Sequence, residues 1–132
     1  MAAQINVEHY MTRSPYTIGQ EQTLAAAHDL MRIHQIRHLP VLHGGRVVGM
    51  VSMRDLHLVE TLPDVNPEHI TVEDAMTGDP YRVAPQASLC EVAREMAEKR
   101  LGSAIVVEGN KVVGVFTTVD ALTALADVLG KD

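Results

Sequence analysis

The sequence contains no tryptophan, one phenylalanine and three tyrosines, so aromatic residues make up only 3% of its 132 residues. Proteins that bind single-stranded nucleic acid use aromatic rings on which bases stack, and this chain has few of them. Its formal net charge of −6 at pH 7 also disfavours a general binder of nucleic acids or anionic membranes. The composition therefore predicts no nucleic-acid partner and no membrane partner.

Cysteine is equally scarce, because Cys90 is the only one in the sequence. One cysteine cannot form a disulfide within the chain, which favours a reducing compartment. The opening residues lack the apolar stretch of a signal peptide, and no apolar run is long enough to span a bilayer. We therefore expect a soluble cytoplasmic protein. Cys90 has no histidine or aspartate partner in its own segment, so we interpret it as a helix residue and not as a nucleophile.

Motifs for catalysis or metal binding are also missing. The chain has no P-loop, no G-x-S-x-G motif and no carboxylate pair suited to acid–base chemistry, which predicts that it is not an enzyme. Its seven histidines are scattered, and no zinc-type cluster is present. His34 and His38 are four residues apart, but the predicted helix ends near Gln35, before the second of them. We therefore expect no metal site and no required cofactor.

The sequence is an internal duplication. Shifted by 65 positions, it aligns with itself without a gap. The repeats extend over residues 5–58 and 70–125, and a linker over 59–69 contains Pro63 and Pro67. Identical residues coincide throughout, for example Val7 with Val72, Met11 with Met76, Tyr16 with Tyr81, Leu24 with Leu89, Gly49 with Gly114 and Asp55 with Asp120.

Each repeat predicts a short leading helix, an extended segment, a longer helix, a β-hairpin and a last helix. The hairpin turns are Gly44-Gly45 and Gly109-Asn110, and the last helices begin at Ser52 and Thr117. One such repeat is too small to bury a sufficient core by itself. The predicted fold is therefore α/β, in the α+β sense, with two β-α-β-β-α repeats packed sheet to sheet around a pseudo-twofold axis.

A seven-residue pattern occurs in both repeats, as GMVSMRD at 49–55 and GVFTTVD at 114–120. One interpretation is a helix start, with a hydroxyl N-cap and an acid three residues later. The other is a nucleotide site. The first N–H groups of a helix suit a phosphate, and an aspartate can accept hydrogen bonds from a ribose diol. The sequence alone leaves both interpretations open.

The order and duplication of these segments resemble the CBS-domain family, in the tandem arrangement called a Bateman module. The resemblance rests on YMTRSPYTI, TLAAAHDLM, IRHLPVL and GRVVGMVSMRDL in the first repeat. In the second it rests on AMTGDPYRV, SLCEVAREM, LGSAIVV and NKVVGVFTTVDAL. It covers nearly the whole chain.

This resemblance implies a non-catalytic regulatory module that binds AMP-, ADP- or ATP-like nucleotides in the cleft between two repeats and signals by conformational change. NAD, S-adenosylmethionine or a cyclic dinucleotide are alternative ligands, and a structural dimerisation module with empty clefts is an alternative function. The resemblance also implies a homodimer and an unidentified protein effector. Implied ribose and phosphate contacts are Ser52 and Asp55, and Thr117 and Asp120; implied adenine walls are Tyr16, Thr17, Ile18, Leu39 and Pro40, and Tyr81, Arg82, Val83, Ala104 and Ile105.

The two implied sites differ in charge. Arg54 precedes the aspartate in the first repeat, and Val119 takes that position in the second. Likewise, Arg37 and His38 of the first repeat correspond to Gly102 and Ser103 of the second. Because guanidinium groups bind phosphate well, we expect a phosphorylated ligand to prefer the first site if its contacts stay within one repeat, with His38 as a further phosphate partner. The resemblance also implies that a phosphate tail can reach the partner repeat, in which case Arg37 and His38 would serve either site. Arg82 and Arg100 are candidates to compensate in part at the second, but for Arg100 we favour the interpretation of a solvated surface charge.

Overall fold

The computed structural model describes residues 4–130. Its helices are α1 Leu24–His34, α2 Met53–Glu60, α3 Val72–Ala75, α4 Leu89–Lys99 and α5 Thr118–Leu129, and a 3₁₀ turn covers Val7–His9. Its strands are β1 Thr12–Arg13, β2 Ile18–Gly19, β3 His38–His43, β4 Arg46–Ser52, β5 Thr77–Gly78, β6 Arg82–Val83, β7 Ser103–Glu108 and β8 Lys111–Thr117. This content confirms the predicted α+β class.

The chain forms two compact units. One is Tyr16–Pro80, and the other joins the residues before Tyr16 to those after Pro80. Each unit contains one four-stranded sheet, ordered β2-β3-β4-β5 in the first and β1-β8-β7-β6 in the second. Within each sheet a parallel pair precedes the predicted antiparallel hairpin.

The units and the sequence repeats divide the chain at different residues, because each repeat's leading segment belongs to the sheet of the other repeat. Strand β1 pairs with β8, placing Thr12 opposite Val115, and β5 pairs with β4, placing Thr77 opposite Met50. The leading helices follow the same exchange. The Val7 N–H, for example, donates to the Ala87 carbonyl at 2.9 Å.

Each unit has its own aliphatic core. In Tyr16–Pro80, the core includes fully buried Leu39 and Leu56, and in the other unit Phe116 is the largest fully buried side chain. The helix boundaries match the sequence expectations. Helix α1 ends at His34, and Gln35 follows in the left-handed conformation with φ 53°. Helix α4 ends in the same way, with Arg100 at φ 56°.

The glycine that opens each seven-residue pattern lies against the exchanged strand. A Cβ on Gly49 would lie 2.5 Å from the Met76 sulfur and 2.8 Å from the Thr77 carbonyl oxygen. A Cβ on Gly114 would collide with the Met11 sulfur. Contacts this short are incompatible with a larger side chain. The glycines are therefore explained by strand packing within each sheet.

Candidate functional site

The first pattern forms the start of α2. Ser52 is its N-cap, and the Asp55 N–H donates to Ser52 Oγ at 3.1 Å. In return, the Ser52 N–H donates to Asp55 Oδ2 at 2.8 Å. These reciprocal bonds form a capping box, in which side chains satisfy backbone groups at the helix start. The helix-start interpretation of the sequence is thus confirmed for this repeat.

The second pattern forms the same structure at the start of α5. The Thr117 N–H donates to Asp120 Oδ2 at 2.9 Å, and the Asp120 N–H donates to Thr117 Oγ1 at 3.4 Å. The Thr117 hydroxyl also donates to Asp120 Oδ2, at 3.3 Å. In both units the cap engages Oδ2 of a half-buried aspartate. Capping therefore occupies one carboxylate oxygen in each case.

The adenine-wall residues implied for the first site lie on strands next to this helix start. Parallel pairing places Ile18 of β2 opposite Val41, and antiparallel pairing places His38 of β3 opposite Ser52. The start of β3 therefore lies between the residues that lead into β2 and the N-cap of α2. Leu39, Pro40 and Ile18 are buried, Thr17 is half-buried and Tyr16 is half-exposed.

The other unit repeats this arrangement. Ser103 of β7 lies opposite Thr117, and Arg82 of β6 lies opposite Ile105. The Ile105 N–H donates to the Tyr81 carbonyl at 2.8 Å, which fixes the chain before β6 alongside β7. Ala104 and Ile105 are fully buried, Val83 is half-buried and Arg82 is exposed. Each predicted set of residues thus lies within a single unit.

Charged residues differ between the two helix starts as the sequence indicated. The Met53 N–H donates to the Arg37 carbonyl at 2.8 Å, so Arg37 is held beside the first turn of α2, which also carries Arg54. Both arginines are exposed, and His38 is half-buried. At the start of α5 the matching bond joins the Thr118 N–H to the Gly102 carbonyl at 3.3 Å, and Val119 is 66% exposed.

The two tyrosines of the candidate sites have different surroundings, which the sequence analysis missed. Tyr16 stacks on His34, with ring centroids 3.7 Å apart and an interplanar angle of 15°. The matching position in the other unit is Lys99, which pairs with Glu95. There, burial raises the pKa of Tyr81, and the negative charge of Glu95 raises it further. The sequence does contain a signal for this difference, because His34 of the first repeat is aligned with Lys99 of the second.

Within residues 4–130, no three histidine, cysteine, aspartate or glutamate side chains are placed to hold a metal ion. His28 Nδ1 lies 3.2 Å from Glu60 Oε2 and links α1 to α2. Cys90 is an exposed residue of α4. In the same part of the chain, the helices are too short or too polar to cross a membrane.

Comparison with known proteins identifies the class. The family model described as "CBS domain" matches residues 7–59 and again residues 72–127. The chain therefore belongs to the CBS domain family, and it contains two copies of the domain in tandem.

Three known proteins illustrate the similarity. An inosine-5'-monophosphate dehydrogenase of Korarchaeum cryptofilum is 32% identical over 86% of this chain, which spans only 23% of that enzyme's length. A crystal structure of a putative acetoin utilization protein (AcuB) from Vibrio cholerae is 33% identical, with a TM-score of 0.84; the match covers 97% of this chain and 95% of that one. The structure of CBSX2 in complex with AMP has a TM-score of 0.80 at 23% identity, covering 93% and 97% of the two chains.

Proposed function

We propose that this chain is a non-catalytic regulatory module that binds adenosine nucleotides at the starts of α2 and α5. The observation that carries the proposal is the repeated placement of a half-buried aspartate and a hydroxyl at a helix start, next to a buried aliphatic strand. The AMP complex of CBSX2, a protein of the same fold, supports the choice of ligand class. AMP, ADP and ATP are the proposed ligands.

Each part of the arrangement has a role in this proposal. The cap engages Oδ2 of Asp55 and of Asp120, and the other oxygen of each carboxylate accepts hydrogen bonds from the ribose hydroxyls. The phosphate lies near the hydroxyl of Ser52 or Thr117, at the positive end of the helix dipole. The adenine lies beside the start of β3 or β7, where the half-buried Thr17 of one unit and Val83 of the other remain accessible. Binding would then favour one conformation of the module, which a protein effector detects by linkage.

A binding experiment tests this function. We expect AMP to raise the free energy of unfolding by about 2.7 kcal/mol at 100 times its Kd. NAD and S-adenosylmethionine serve as competing ligands. Asp55→Ala should remove binding at the first site and Asp120→Ala at the second, measured by isothermal titration calorimetry. If no adenosine compound changes the stability of the wild-type protein, the alternative of a structural dimerisation module is favoured.

The aspartate variants also lose a helix cap, so they need a matched control. Ser88 caps α4, where its Oγ accepts the Glu91 N–H at 3.3 Å, and it lies outside both candidate sites. We expect Ser88→Ala to cost about 1 kcal/mol of stability, as cap removal typically does, while leaving AMP affinity unchanged. This variant separates the loss of a cap from the loss of a ligand contact.

We also propose that the protein forms a homodimer through α5. This helix exposes Val119, Leu122, Leu125, Val128 and Leu129, each at least 52% exposed, and apolar surface of this kind is typical of interaction sites. Leu122→Glu should then yield a monomer in size-exclusion chromatography with light scattering. Thr123→Glu is the control, because this neighbouring residue is exposed but polar. An unchanged mass for Leu122→Glu contradicts this interface.

A further inference from the structure

We propose that Tyr16 is an aromatic platform for the base of the ligand in the unit Tyr16–Pro80, and that His34 is the positioning residue that holds its ring in place. The inference rests on the proposed function, since it assigns base recognition at the first of the two proposed sites. It also distinguishes that site from the second, where the same position is not an open platform.

The stacking geometry indicates that His34 holds the Tyr16 ring from one side. The centroids of Tyr16 and His34 are 3.7 Å apart and the rings are 15° from parallel, so the imidazole covers one face of the phenol. Tyr16 nevertheless remains 50% exposed. Aromatic rings attract one another in stacked arrangements, and a ring already held on one side loses little freedom when a base stacks on the other.

The sheet places this ring near the proposed ribose contact. Because Ile18 lies opposite Val41 in the parallel pair β2–β3, the chain at Tyr16 extends alongside Leu39. One residue earlier in β3, His38 lies opposite Ser52, the N-cap of α2. Neighbouring strands are about 4.8 Å apart, so the backbones of Tyr16 and Ser52 are about two strand spacings from each other. An adenosine held by Asp55 at its ribose spans such a distance to its base.

The matching position in the other unit has a different environment. Tyr81 is half-buried, and its pKa is raised first by that burial. The residue that matches His34 there is Lys99, at the end of α4, which pairs with Glu95 instead of presenting a ring. One duplicated tyrosine thus acts as a platform in one unit and as a packing residue in the other.

Calorimetry with AMP tests the platform. In an Asp120→Ala background, which leaves only the first site, we expect Tyr16→Leu to weaken AMP binding about tenfold, the loss typical of a removed base–aromatic stack. Tyr16→Phe, which keeps the ring, should bind within about twofold of the parent. In an Asp55→Ala background, Tyr81→Leu should change AMP affinity less than Tyr16→Leu does at the first site.

The role of His34 needs a readout that a merely structural residue would not change. We expect His34→Ala to weaken AMP binding several-fold and His34→Phe to restore it, because phenylalanine supplies the second ring of the stack. NMR gives a direct signature: AMP should shift the ring protons of Tyr16 upfield through the ring current of adenine, and those of Tyr81 much less.

The outcomes separate the two proposals. If AMP binds in an Asp55-dependent way and Tyr16→Leu leaves the affinity unchanged, the platform is wrong and the proposed function stands. If His34→Phe binds AMP as weakly as His34→Ala, the positioning role of His34 is wrong. If the wild-type protein binds no adenosine compound, both the proposed function and the platform are wrong.

Discussion

Helices α2 and α5 begin with the same capping box and then present different surfaces. Beyond its cap, α2 exposes Arg54 and His57 together with one large apolar residue, Leu58, and its Glu60 pairs with His28 of α1. By contrast, α5 exposes mainly apolar side chains, of which Leu129 is the most exposed at 72%. The cap thus fixes where a helix begins, while the residues around it decide what its surface can bind.

The same contrast applies to the two candidate sites. Strand register and capping hydrogen bonds are nearly identical in the two units. Arg37 and Arg54 correspond to Gly102 and Val119 of the other unit. Tyr16 is matched by Tyr81, but only Tyr16 has a histidine ring stacked on it. The duplicated backbone therefore supports two sites of different selectivity, and the following experiments test how far the equivalence extends.

The largest expected loss of unfolding free energy comes from substitutions in the cores of the two units. Phe116 is fully buried, and the matching residue of the other unit is the fully buried Val51. Phe116→Ala should cost about 3–5 kcal/mol of unfolding free energy, because a large cavity remains. Val51→Ala removes less apolar surface and should cost about 2 kcal/mol. Urea denaturation measures both, and equal losses would contradict the idea that one unit depends on its single phenylalanine.

The next effect concerns the glycines beside the exchanged strands. Gly49→Ala should destabilise the protein by about 1–3 kcal/mol, because the new methyl group overpacks against Met76 and the backbone of Thr77. Gly114→Ala should cost less, since the Thr12 carbonyl is farther away, at 3.1 Å from the Cβ position. Gly78→Ala is the control, because nothing lies within 4 Å of its Cβ position. A Gly49→Ala protein as stable as Gly78→Ala would contradict the packing explanation.

A smaller effect is expected when the charge difference between the proposed sites is reversed. In an Asp120→Ala background, Arg54→Val should weaken AMP binding about tenfold, because a charge-assisted hydrogen bond to phosphate is lost. Adenosine, which lacks the phosphate, should lose little affinity. In an Asp55→Ala background, Val119→Arg should strengthen AMP binding. Equal losses for AMP and adenosine would show that Arg54 does not contact phosphate.

The smallest expected effect is on the stability of the protein at alkaline pH, where the wild-type protein and Tyr81→Phe should differ. Burial raises the pKa of Tyr81 above its ordinary value of 10.0, so the folded state retains the tyrosine proton more strongly than the unfolded state does. Its contribution to stability is therefore complete below pH 10 and is lost as the pH rises through the folded-state pKa. Tyr81→Phe should reduce the alkaline decline in melting temperature. An unchanged slope above pH 10 would contradict a raised pKa at this residue.

Local features of the fold were predictable from the sequence. Both hairpin turns, both capping boxes and the end of α1 before Gln35 are determined by neighbouring residues, and each was expected. The pairing of β1 with β8 and of β5 with β4 was not expected. Strands β1 and β5 are two residues long, so they show no alternating pattern, and their partners belong to the other repeat.

The candidate sites were predictable only in outline. The duplicated aspartates and hydroxyls were recognisable as patterns, and the structure places each set in one unit. The contact between Tyr16 and His34 was not, because it depends on how the strand and the helix end approach each other in space. For the same reason, the burial of Tyr81 could not be inferred from a sequence in which both tyrosines follow a proline.

Because β1 pairs with β8, the two units have different folding requirements during synthesis. Tyr16–Pro80 is continuous, so every strand of its sheet is available once Pro80 has left the ribosome. Thr12 and Arg13, although made earlier, have no partner strand until β8 has been synthesised. The sheet that contains β1 and β8 is therefore completed last, although Thr12 and Arg13 of that sheet are among the first residues to be synthesised.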